Sequence, residues 1–96
     1  MELVVDKASV GNVAVWLRAN GYSLGRGRSA SYQRSLLPGQ PWPRFHLYVE
    51  TADDHYRLQL HLDRKQESRH HNSPHAHNAD YQGPELNQEV SRLRNS

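Results

Sequence analysis

Seven histidines and no cysteine decide which chemistry is open to this chain. Four of the seven fall within "HHNSPHAHNADY", residues 70–81, where Asp80 completes an H-x-H-x-x-D spacing with His75 and His77. Without thiolates a metal has to be held by imidazole and carboxylate, and zinc takes three or four such donors at about 2.0–2.2 Å. His46, His61 and Asp63 lie upstream in two alternating segments, "RFHLYVE" and "YRLQLHLD". Residues two apart in a strand share a face, so His61 and Asp63 point the same way. The candidate metal ligands are therefore His46, His61, Asp63, His75, His77 and Asp80. An ion held there would be a divalent metal such as zinc, activating water in a small hydrolase of nuclease or phosphodiesterase type. This is the alternative to a first reading as a phosphate-ligand-binding domain. The same residues also read as a polar loop and a wet strand face that need no ligand. His70 and His71 read as solvated, and His55 belongs to a hairpin loop. No catalytic residue is assigned, because no serine sits in a recognisable nucleophile context.

A second constellation is "GYSLGRGRSASYQR", residues 21–34. Arg26, Arg28 and Arg34 are interleaved there with Tyr22 and Tyr32, and glycines at 25 and 27 let a backbone approach a phosphate. Arginine supplies charge and tyrosine a stacking surface, which suits a phosphate-bearing ligand, nucleic acid foremost. The G-K-[ST] of a Walker loop is missing. The alternative is a solvated connector.

The charge distribution supports the phosphate reading. Six basic against two acidic residues give positions 1–49 a net +4, and no acid occurs between Lys7 and Val49. Positions 50–96 carry six basic and eight acidic residues, a net −2. A one-signed surface draws ligands of the opposite sign. Ten arginines against two lysines fit phosphate recognition, and fit GC-rich coding equally. Ninety-six residues suit one domain with a thin core, so a deep cleft would call for a second subunit, and a homo-oligomer is a further reading. "PWP" at 41–43 offers Trp42 as a core cap or a partner's anchor. No apolar run is long enough for a membrane, and the start lacks a signal peptide's pattern, so the expectation is a cytoplasmic protein with no membrane partner.

These residues need elements to position them. "ELVVD" at 2–6 is a β-prone edge segment. Ser9 is placed to cap a helix to Asn20, with Val10, Val13, Ala14 and Leu17 on one face. "YQRSLL" leads into a strand, and three prolines in 38–43 exclude regular structure there. Phe45, Leu47 and Val49 alternate with His46, Tyr48 and Glu50, while Tyr56, Leu58, Leu60 and Leu62 alternate with Arg57, Gln59, His61 and Asp63. This predicts a hairpin over 45–50 and 56–63. Pairing Thr51 with Tyr56 across the four-residue loop 52–55 puts Phe45 opposite Leu62 and His46 opposite His61. Residues 64–83 form a long polar loop. Pro84 opens a last helix to 94 whose stripe is Leu86, Val90 and Leu93. The expected fold is α+β: one domain, 1–96, with an antiparallel sheet of three or four strands under two helices at 9–20 and 84–94. The order of elements resembles the α-β-β-β-α order of double-stranded-RNA-binding domains. The last helix opens "GPELNQE" where those domains carry a lysine-rich cluster, so the resemblance covers element order alone.

Overall fold

The computed structural model describes residues 1–25, 31–64 and 79–96. Its centre is the hairpin of β4 (Arg44–Thr51) and β5 (His55–Asp63). The register is the one the alternation dictates: Thr51 pairs with Tyr56, Leu47 with Leu60, His46 with His61 and Phe45 with Leu62. A slip of one residue would carry Glu50 and Arg57 into the core, so burial of one face fixes the pairing.

Three further strands extend this hairpin and one short strand borders it. On one side lie β3 (Ser31–Ser35) and the two-residue β2 (Ser23–Leu24); on the other lies β1 (Glu2–Asp6). The order is β1-β5-β4-β3-β2, antiparallel throughout, and a two-residue β6 (Ala79–Asp80) pairs with the far end of β5. The α+β architecture expected from the sequence is present, with β2 and β6 added to the strand count. β6 falls inside the segment read as loop.

The first helix is also divided. Instead of one helix capped by Ser9, the chain forms α1 (Lys7–Val10) and α2 (Val13–Ala19). Gly11, at φ +68° and ψ −129°, breaks them apart. Asn12 then caps α2, its side chain accepting from the Val15 amide at 3.1 Å. The third helix, α3 (Pro84–Arg94), keeps its expected bounds.

Among the described residues, all helical packing is on one sheet face. Leu17 of α2 and Leu86, Val90 and Leu93 of α3 close over Leu3, Tyr32, Phe45, Leu47, Leu58, Leu60 and Leu62. Arg92 ties the two helices together by donating to the Asn20 carbonyl at 2.8 Å. The opposite face keeps its polar side chains, His46, His61 and Asp63 among them. No helix among the described residues is long and apolar enough to cross a membrane.

Candidate metal centre

Cross-strand pairing puts His46 beside His61, and the two-residue repeat puts Asp63 next to His61 on that face. The imidazole centroids are 5.0 Å apart, with the ring planes at 66°. Asp63 reaches both rings: Oδ1 lies 3.0 Å from His61 Nε2, and Oδ2 lies 3.6 Å from His46 Nδ1. One donor atom from each of the three residues lies within 4.8 Å of the other two. A tetrahedral ion with bonds near 2.1 Å wants its donors about 3.4 Å apart, so small side-chain rotations bring this trio into range.

The surroundings disfavour the charged form of both imidazoles. Partial burial lowers the His46 pKa below the ordinary 6.5, helped by His61 and by the charge of Arg44, against the pull of Asp63. Burial likewise lowers His61, although the charge and hydrogen bond of Asp63 oppose it. Neutral imidazole has the lone pair a metal needs, and an ion would take the place of the His61–Asp63 contact.

Two tyrosines flank the trio. Tyr48 has its ring 4.6 Å from His46 and 5.9 Å from His61, and Tyr81 lies 5.4 Å from His61 on the side of β6. Both are exposed. The alternation already puts Tyr48 on the face of His46, without a role in the site, while Tyr81 was not singled out in the sequence.

Asp80 does not join the cluster. It pairs with Leu62, which puts it on the helix side of the sheet. Arg64 donates to it there at 2.9 Å from Nε and 2.6 Å from Nη2. Asp80 therefore stands apart from His46, His61 and Asp63, bound by an arginine on the other face. His75 and His77 lie outside the described residues. His55 bonds its neighbour Asp54 at 2.6 Å at the hairpin's far end.

The arginine-tyrosine constellation changes character. Tyr22 and Tyr32 are 3% and 6% exposed, so neither ring offers a face on which a base could stack. Tyr32 pairs with Leu47 on the apolar side, and the Tyr22 hydroxyl donates to Glu89 at 2.6 Å. Their parity, with Tyr32 opposite an inward leucine, decided this. Arg34 is half-buried and reaches Glu89 at 3.5 Å, while Arg26 and Arg28 lie outside the described residues. Glu89 itself bonds Arg92 at 2.7 Å. Burial alone would raise its pKa, but the bonds from Arg92 and Tyr22 and the charge of Arg34 outweigh that and hold it low. Trp42 is half-buried and carries the Arg44 guanidinium 3.9 Å from its ring centroid.

Compared with family models, curated proteins and solved structures, the chain matches none. Function has to be read from the site.

Proposed function

We propose that this protein binds a divalent metal through His46, His61 and Asp63, and that the ion activates a water for hydrolysis. The observation that carries the reading is the convergence of two imidazoles and one carboxylate within 4.8 Å on a sheet face that no helix among the described residues covers. Hydrogen bonding within the trio accounts for part of that convergence. It does not account for a second imidazole that meets the shared carboxylate only at 3.6 Å.

Two nitrogens and one oxygen suit zinc, and three protein donors are the number found in catalytic zinc sites, where water takes the fourth position. Bound there, the water would be acidified to a pKa near 7 and become a nucleophile at neutral pH. The protein's own part is to hold two donors on adjacent central strands, where backbone pairing fixes their separation.

Metal analysis of protein purified without an affinity tag tests this directly. The expected result is one zinc per chain, or stoichiometric uptake by the stripped protein, with binding weakened at least a hundredfold in His61→Ala and in Asp63→Ala. Equal binding by His61→Ala would sink the reading. Hydrolysis of an activated phosphodiester by the zinc-loaded protein tests the second half. A loaded protein without turnover would make the metal structural.

A further inference from the structure

The open face carries a second feature beside the trio. Strand β2 is only two residues long and pairs with β3 at Gln33 and Tyr32, and among the described residues the rest of β3 on that side has no neighbouring strand. A cleft of about 430 Å³ opens there, lined by Ser23, Gln33, Arg34, Ser35 and Arg44, with Gly21 and Pro41 at its rim. That volume falls within the range of small-ligand pockets.

The cleft is electropositive and contains no acidic lining residue. Arg44 stands opposite Asp63 in the β4–β5 register, yet its guanidinium lies over Trp42 and makes no ion pair among the described residues. Its Nε is buried without a hydrogen-bond partner among them. Arg34 shares Glu89 with Arg92, so one carboxylate serves two guanidinium groups. Hydroxyls from Ser23 and Ser35 and the Gln33 amide add neutral donors. Guanidinium forks with hydroxyl and amide donors match the oxygens of a phosphate better than any neutral ligand.

The cleft adjoins the trio. Gln33 pairs with His46 and Ser35 with Arg44, so cleft and trio occupy adjacent strands, about 5 Å apart. The charge of Arg44 is felt at His46.

We propose that this cleft is a phosphate seat, in which Arg44, with the Ser35 hydroxyl and the Gln33 amide, holds the phosphate group of an ester ligand beside His46, His61 and Asp63. The seat stands without a metal; its role in holding a substrate rests on the metal-centre reading above. It also moves the phosphate contact away from the 26–28 arginines of the loop, onto the sheet.

The test is a titration of inorganic phosphate into the metal-stripped, full-length protein at low salt, followed by amide and side-chain NMR shifts. Saturable shifts at Gln33, Ser35 and the Arg44 side chain are expected, with the dissociation constant raised about tenfold or more in Arg44→Gln. Absence of saturation, or unchanged affinity in both Arg44→Gln and Ser35→Ala, overturns the seat. Repeating the titration with a nucleoside monophosphate separates a free anion from an ester: tighter binding, with added shifts at Tyr48, supports the ester, and equal or weaker binding overturns that part. A second repeat on zinc-loaded protein is expected to tighten phosphate binding. Zinc uptake with no change in phosphate affinity overturns the coupling. Phosphate binding in a protein that takes up no zinc sinks the metal centre and leaves the seat intact.

Discussion

Glu89 is the residue whose removal has the most predictable consequence. It sits 3% exposed in the stripe that α3 turns to the core, accepting from Tyr22, Arg92 and, at longer range, Arg34. Breaking a fully buried ion pair costs about 3–5 kcal/mol. Here Arg34 and Arg92 keep 30% and 38% of their side-chain exposure and can rehydrate. Glu89→Ala is therefore expected to lose about 2–3 kcal/mol in urea denaturation, and Tyr22→Phe about 1–2 kcal/mol for its single donor. The acid response should show two windows. The folded-state pKa values of His46 and His61 lie below 6.5, so the folded chain binds fewer protons there and stability falls as pH drops from 6.5. Glu89, held below the ordinary 4.5, adds a loss only at lower pH. His46→Asn should diminish the upper window and leave the lower one, as read from denaturation midpoints across pH. The trio was legible because strand parity and one loop length determine which side chains meet. Glu89 could have been found too: it lies three after Leu86 and four before Leu93, and an acid on an inward stripe implies a buried partner. The face taken by Asp80 was not legible, because it depends on a two-residue pairing that leaves no pattern in the sequence.

At the scale of elements, local chemistry overrode periodicity where the two conflicted. The apolar spacing from Val10 to Leu17 reads as one helix, yet Gly11 adopts a conformation that other residues avoid, and Asn12 starts a new helix with its own cap. Nothing lies within 4 Å of the position a Gly11 Cβ would occupy, so the cost of Gly11→Ala is purely conformational. It should destabilise by about 1–3 kcal/mol, and Asn12→Ala by about 1 kcal/mol. If Gly11→Ala were neutral in thermal denaturation, the break would have another cause. The hairpin and α3 were read closely because their signals agree at every level: alternation or stripe, turn length, and Pro84 at the helix start. The short strands β2 and β6 are set by their neighbours, which no two-residue sequence can announce.

For the molecule as a whole, the sheet separates stability from chemistry by face. Leucines from every long strand but β3 meet the helices on one side, and the imidazoles, Asp63 and Arg44 of the cleft share the other. A small domain whose metal ligands also form its core unfolds when the metal is removed. Here the core of the described residues is built of twelve buried apolar side chains on the other face from the three ligands, so the stripped protein should remain folded. Circular dichroism should be unchanged by a chelator. Metal that binds only the folded state still stabilises it by mass action, about 2.7 kcal/mol at a hundredfold excess over Kd. Because His46 and His61 lie on the paired central strands, that increment should appear in the global unfolding midpoint instead of in a local segment. It should vanish in His61→Ala. It should also shrink as pH falls below 6.5, where protons compete for the same nitrogens. A chelator that abolished the fold would place the metal in the core's service and contradict the division between the faces.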